Sequence, residues 1–261
     1  MKKNLILLLT LTVLFTSCQR DNDLVKNGIF KGPEVSVHEG KAWTWVQLTR
    51  NGDPMRLAIS LTDEALNSVP VGEGEGTHDH GDMDNNWVLQ FDPKAGVTPF
   101  NHVGMGWNPN GHEPEIFYGK PHFDFHFYIM TPEEVAAIPP YSVAPAKFDN
   151  WPAPAYLPAG YFNAGGGVPQ MGAHWVDPTS GEFNGQDFTQ TFIYGSYDGK
   201  VTFYEPMITL EFLKATTNFE RAIPQPAKVQ KTGWYPTKLR IQKHGGITEI
   251  ILDDFVYRTQ S

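Results

Sequence analysis

Eight residues, Pro121-His-Phe-Asp-Phe-His-Phe-Tyr128, alternate strictly between groups that bind protons or metals and apolar rings. His122, Asp124, His126 and Tyr128 share one parity; Phe123, Phe125 and Phe127 share the other. Successive side chains of a β-strand point to opposite faces, so the pattern predicts a strand with an aromatic core face and a second face of ligands. Imidazole and carboxylate suit a transition metal such as Zn²⁺, with Mn²⁺ or Fe²⁺ as the alternatives, and they are also acid–base groups. Same-face neighbours lie about 6.6–6.8 Å apart at Cα, which suits His122 with Asp124, or Asp124 with His126, on one ion. His122 and His126 stand twice as far apart. The expected arrangement is therefore two of the three as ligands, the third orienting one of them, as when Asp124 accepts the free ring N–H of a ligand His.

Further ligands must come from other segments. His112 lies in Gly111-His-Glu-Pro114, a turn-rich loop just before this strand; His174 lies in Met171-Gly-Ala-His-Trp-Val-Asp177 at the end of another predicted strand; Glu205 follows a hairpin. Three His and one carboxylate, such as His112, His122 or His126, His174 and Glu205, would hold Zn²⁺, Mn²⁺ or Fe²⁺ with a position left open. An open position would permit hydrolase or lyase chemistry on a metal-bound water, with Glu205, Asp124 or Glu113 as the candidate general base. Two readings compete. A buried His–Asp network completed by Tyr128 and Trp175 would tie strands together without an ion. A non-catalytic module would use Trp43, Trp45, Trp87, Trp107, Trp151 and Trp234 to stack glycans or to form an oligomer. His38, His102 and His244 are expected at the surface or satisfied. No nucleophile elbow, phosphate loop, dinucleotide fingerprint or His-Glu-x-x-His motif is present, and Gly165-Gly-Gly167 lacks the strand and helix that a phosphate loop needs.

The elements that must position these residues are strands. Predicted strands are 42–50, 55–61, 86–91, 122–130, 189–194, 200–204, 207–213, 237–243 and 247–257, each showing alternation or a short apolar run. Two short helices are predicted at Thr62–Asn67 and Thr131–Ala137, the second with a capping box. Asp198-Gly199 predicts a tight hairpin with Tyr197 opposite Lys200, Tyr194 opposite Phe203 and Phe192 opposite Glu205. Gly245-Gly246 predicts a second, with Ile241 opposite Ile250, Leu239 opposite Leu252 and Gln242 opposite Glu249. The expected class is all-β: an antiparallel sandwich or a flattened barrel with long Pro/Gly-rich loops. Residues 71–86, with His78 and His80, read as a solvated loop; 139–160, rich in proline, reads as a stiff extended segment wrapped on the domain.

Residues 1–17 read as a secretory signal: Lys2 and Lys3 precede an apolar run, Leu5–Phe15, too short to span a bilayer. Leu14-Phe-Thr-Ser-Cys18 resembles a lipobox, which makes Cys18 the lipidation site and 18–27 a polar tether to the membrane, with 28–261 as a single β-rich domain. The acidic residues after Cys18 direct the expectation to the outer membrane or cell surface. Cys18 is the one cysteine, so disulfides are excluded. Without Lys2 and Lys3 the 20 basic side chains fall to 18 against 29 acidic ones, a net charge of −11 that repels nucleic acid and favours cations.

Gly106-Trp-Asn-Pro-Asn-Gly-His-Glu-Pro-Glu-Ile-Phe-Tyr118, the Pro121–Tyr128 run, Gly172-Ala-His174 and Tyr204-Glu-Pro-Met207 together resemble a family of bacterial exported proteins known as a domain of unknown function, which has a relative of known structure from a thermophilic bacterium. The resemblance spans about residues 28–213 and leaves 224–261 outside it. It implies an exported, β-rich domain compatible with a homo-oligomer, and it carries no catalytic residues across. The anchor is directly testable. Cys18→Ala is expected to move the protein from the membrane to the soluble fraction with its domain still folded. A variant that stays tightly membrane-bound, or a mature N-terminus elsewhere than Cys18, contradicts the anchor.

Overall fold

The computed structural model describes residues 28–72 and 85–261. The predicted signal, Cys18, the tether, His78 and His80 lie outside the described residues. Among the described residues, fourteen strands form two antiparallel sheets of seven. The first runs β1 (Ile29–Lys31), β3 (Gly40–Leu48), β4 (Pro54–Thr62), β14 (Ile247–Arg258), β13 (Gly233–His244) and β12 (Asn218–Ala222), with β2 (Val35–Val37) also on β3. The second runs β5 (Asn86–Gln90), β6 (His102–Asn108), β7 (His122–Tyr128), β11 (Lys200–Thr209), β10 (Gln190–Tyr197), β9 (Ala173–Val176) and β8 (Phe162–Asn163). Among the described residues no ladder joins the edges of either sheet, so the fold is an open sandwich and not a flattened barrel.

The core lies between the sheets. The first sheet contributes Val46, Leu57, Ile59, Leu239, Ile241 and Ile250; the second meets them with Val103, Met105, Phe123, Phe125, Phe127, Tyr194 and Tyr204. Each large apolar side chain buried there stabilises the fold by about 1.5–3 kcal/mol. With the three phenylalanines turned inward, alternation forces His122, Asp124 and His126 onto the outer face of the second sheet. Every residue of β7 is nevertheless buried. Helices and loops cover that outer face too.

Five short helices occur among the described residues: α1 (Asp63–Ser68), α2 (Glu115–Tyr118), α3 (Pro132–Ala136), α4 (Pro145–Phe148) and α5 (Leu210–Ala215). No helix among them is long and apolar enough to cross a membrane. The expected helices are α1 and α3; Thr131 and Glu134 form the capping box of α3, and Thr62 accepts from the Ala65 N–H at the start of α1. Residues 207–213 are not a strand throughout: β11 runs unbroken past Pro206 to Thr209, whose hydroxyl accepts from the Phe212 N–H and starts α5. The proline-rich segment is not extended along its length. It folds into α4 and a 3-10 turn at Pro154–Tyr156, and it buries Phe148 against Tyr141 and Tyr197. Trp45 is buried with Ala58 and Ile251 and its indole N–H donates to Ser60 Oγ at 3.0 Å, while Trp43 is half-buried beside them under Lys31 Nζ, 4.3 Å from its ring centroid. β6 escaped sequence analysis because Gly104 and Gly106 interrupt its alternation.

The second hairpin has the predicted register. The first does not. Tyr197 pairs Lys200, but a bulge at Gly195/Ser196 shifts the ladder by one, so Tyr194 meets Tyr204 and Phe192 meets Pro206. Opposed residues share a face, so the predicted register would have placed Glu205 beside core-facing Phe192. The bulge instead pairs Glu205 with Ile193 and turns it to the outer face.

His102, expected at the surface or satisfied, is 2% exposed and stacks on Tyr128 at 4.9 Å between ring centroids. Burial lowers its pKa from 6.5 to about 4, against the opposing pull of the Met130 backbone and the Glu133 charge. The folded state then binds fewer protons than the unfolded chain between those values. This share of stability is complete above pH 6.5 and is lost as pH falls to about 4; its size is about 2–3 kcal/mol. Urea unfolding at neutral pH and near pH 4 should show His102→Phe losing that part of the acid destabilisation. An unchanged difference between the two pH values would contradict it.

Candidate metal centre

The site is assembled on the outer face of the second sheet. On β6, Gly104, Gly106 and Asn108 stand beside His126, Asp124 and His122. The two glycines place no side chain over the ligand row. On the other side of β7, Met207 pairs Asp124 and Tyr204 pairs Phe127, which brings the intervening Glu205 to the His126 end. His174 comes from β9, two strands away from β11, and pairs Gly195. A Cβ at Gly195 would lie 2.1 Å from the Phe203 ring. That ring occupies the space and packs on His126 and His174, with centroids at 4.8 and 5.4 Å. His112 arrives on the loop after β6, where its backbone N–H donates to Tyr118 O at 3.1 Å. Gly111 makes the turn at φ 74°, and a Cβ there would meet the same carbonyl oxygen at 2.1 Å.

All six sequence-selected metal residues come together, but as two groups of three: His112/His122/Asp124 and His126/His174/Glu205. Within each group the ligand atoms lie within 4.8 Å of one another. The single site with three His and one carboxylate is therefore replaced by two sets of two His and one carboxylate. In the first, His122 Nε2 lies 3.2 Å from Asp124 Oδ1 and His112 Nε2 lies 3.7 Å from Asp124 Oδ2. In the second, His126 Nε2 lies 3.3 Å from Glu205 Oε1 and His174 Nε2 3.8 Å from Oε2.

The first group's ring orientation is set from behind. His122 Nδ1 donates to Lys120 O at 2.7 Å and His112 Nδ1 to Glu113 O at 2.8 Å. This turns both Nε2 atoms toward the Asp124 carboxylate. Asp124 is itself held by Asn108 Nδ2, which donates to Oδ2 at 2.8 Å. His122 Nε2, Asp124 Oδ1 and Glu205 Oε2 are buried and find no hydrogen-bond partner among the described residues. Burial works to raise the Asp124 carboxyl, but His122, His112 and His126 outweigh it and hold the group well below the usual carboxylate range. Glu205 goes the other way: burial first, and the charge of Asp124 second, push it well above that range.

Other candidates sit elsewhere. Glu113 is exposed, and its carboxylate accepts from the Glu115 N–H, so it enters the site through its backbone carbonyl alone. Tyr128 donates to Gln170 O and Trp175 to Ser196 Oγ, so neither completes a polar network with Asp124. His38 and His244 are exposed. Residue type alone does not mark Asn108 or Gly195 as part of the site; Asn108 carries a signal, since it lies on the same parity as Gly104 and Gly106 in a strand whose alternation those glycines mask. No protein-family model, curated protein or solved structure matches the chain.

Gly195→Ala should push the Phe203 ring onto the second group. The expected cost is about 1–3 kcal/mol of stability in urea, with displaced ring resonances of His126 and His174. A neutral effect on both would show that the close approach is not needed.

Proposed function

We propose that this protein binds divalent transition-metal ions, one at each group, and that it does so as an exported, lipid-anchored β-sandwich. The spacing of the ligand atoms carries the reading. Two atoms bound to a tetrahedral Zn²⁺ at about 2.0–2.1 Å stand about 3.3–3.4 Å apart. The shorter separation in each group, 3.2 Å for His122–Asp124 and 3.3 Å for His126–Glu205, matches that edge length, and His112 and His174 stand 3.7 and 3.8 Å from the other oxygen of the same carboxylate. His122 and Asp124 approach closely without the alignment of a hydrogen bond, as atoms do when they converge on a third. The carbonyls behind His112 and His122 and the amide on Asp124 are the supports that metal ligands commonly have. The donor set fits Zn²⁺ first, and Fe²⁺ or Mn²⁺ as well. The acidic balance of the chain favours cation capture.

A second reading, metal-dependent hydrolysis or lyase chemistry, is favoured by one observation. Each group supplies three protein ligands, and one of each, His112 or His174, keeps 17% or 20% of its side chain exposed. Three protein ligands with solvent reach are the pattern of catalytic zinc; four would close a structural site. Binding ranks first because Asp124 and Glu205 serve as ligands, which leaves Glu113, outside the site, as the remaining candidate base.

Elemental analysis of chelator-stripped protein reloaded with Zn²⁺ tests the proposal. Two ions per chain are expected, with about 2.7 kcal/mol of added stability per site at a hundredfold excess over Kd. Asp124→Asn and His174→Ala should each reduce the count to one. Finding no tightly held ion, or two in both variants, would sink the assignment.

A further inference from the structure

Gly28, where the described residues begin, lies at one end of the sandwich, and several other segments meet there. Ile29 pairs Gln47 near the end of β3, so Gly28 stands beside the turn 49–53 that joins β3 to β4. β14 runs antiparallel to β4 with Asp253 opposite Arg56, so residues 254–258 pass the start of β4. Gly233 opposite Arg258 brings the start of β13 to the same place. The 3-10 turn Pro93–Val97 closes the group, because a Cβ at Gly233 would lie 3.5 Å from Val97 O.

Apolar side chains stay exposed at this end: Met55, Val97, Val256 and, at 57%, Tyr257. Half-buried Trp234 pairs Tyr257 and meets it edge to face, with ring centroids 5.4 Å apart and planes at 67°. Rings crossed at that angle give a sugar no flat platform.

Cations surround the patch. Arg50 is exposed in the 49–53 turn, Lys94 is exposed with Nζ 5.8 Å from the Phe30 ring centroid, and exposed Lys231 donates from Nζ to Pro99 O at 3.1 Å. None of the three forms an ion pair with a described residue. Of the acidic groups here, Asp92 accepts from the Lys94 N–H, Asp254 pairs with Lys238 at 3.0 Å, and Asp53 is half-buried. The chain as a whole has a net charge of −9, so a negatively charged surface attracts it only through a locally basic end. Tyr and Trp flanked by Lys and Arg suit the membrane–water interface, where amphipathic rings sit at headgroup level and cations meet anionic headgroups.

The tether selects the occupant. From Cys18 to Gly28 the chain takes ten residue steps, which span at most about 33–36 Å. A lipid on Cys18 holds this end of the domain within that distance of the bilayer, at an effective concentration that makes weak contacts count.

We propose that this end of the sandwich docks on a bilayer surface rich in anionic phospholipid, through the apolar patch and the three cations around it. The docking rests on the lipid anchor at Cys18, and the test separates the two. β6 leaves this end at His102 and reaches Asn108 beside His122 at the other, so a docked domain holds the His112/His122/Asp124 group away from the membrane.

The mass of the native N-terminus is measured first. Full-length Cys18→Ala protein from the soluble fraction is then sedimented with vesicles of phosphatidylcholine alone or with an equal share of phosphatidylglycerol. Binding is expected to the mixed vesicles only, and it should fall at high salt. Arg50→Gln combined with Lys94→Gln should weaken it about 25-fold, about fivefold for each charge. Tyr257→Ser should weaken it about tenfold. Lys214→Gln, which removes an exposed cation on α5 at the opposite end, should bind as the parent does. An unacylated native N-terminus would overturn the anchor and the docking with it. With the anchor intact, several results would overturn the docking alone: no binding to the mixed vesicles, equal binding to both kinds, full binding in the double variant or Tyr257→Ser, or an equal loss in Lys214→Gln. Self-association of the parent that Tyr257→Ser abolishes would give the face to a second copy and overturn it too.

Discussion

Everything at the site follows from one strand being dry on both faces. A strand at the centre of a sandwich sheet has one face in the core, and its other face is commonly wet. In β7 the outer face is covered as well, so two imidazoles and a carboxylate are taken out of water together. Unpaired, such groups would cost several kcal/mol each. The surroundings of β7 read as answers to that cost. Backbone carbonyls orient the rings, Asn108 steadies the carboxylate, and each imidazole pair is matched by one acidic side chain.

The aromatic face of the same strand makes the arrangement rigid. Phe123, Phe125 and Phe127 are fully buried between the sheets, and a slip of one residue would exchange them with the ligands. The geometry of the His/Asp row is therefore locked by core packing, which is far stiffer than a loop. The bulge at Gly195/Ser196 does the same for the neighbouring ladder: it sends Tyr204 inward beside Tyr194 and Glu205 outward beside His126.

Much of this was legible from residue order. The alternation of β7, the Gly245-Gly246 hairpin and the capping box of α3 each depend on neighbours in sequence, and local chemistry decided them. The six residues that gather on the outer face could be picked out because imidazoles and carboxylates are conspicuous in a strand or a tight turn. Their division into two groups could not. It depends on how far β9 lies from β7 and on a one-residue bulge, and no local preference encodes either. The sequence register of the first hairpin failed for the same reason: Asp198-Gly199 specifies the turn, but not the bulge at Gly195/Ser196, where the Phe203 ring leaves no room for a side chain on Gly195.

The two groups differ from the central strand in one respect that bears on time and not on affinity. Each draws two of its residues from β7 and β11 inside the second sheet, and each has one imidazole, His112 or His174, on a peripheral element. His112 sits on the turn closed against Tyr118, and His174 on the four-residue β9, whose outer neighbour β8 has two residues. Short ladders near a sheet edge and loop closures open locally far more often than central strands do. An ion held here would be released by detachment of that one arm while β7 stays in place, so its residence would be governed by the opening rate of a turn or an edge and not by the unfolding rate of the sandwich.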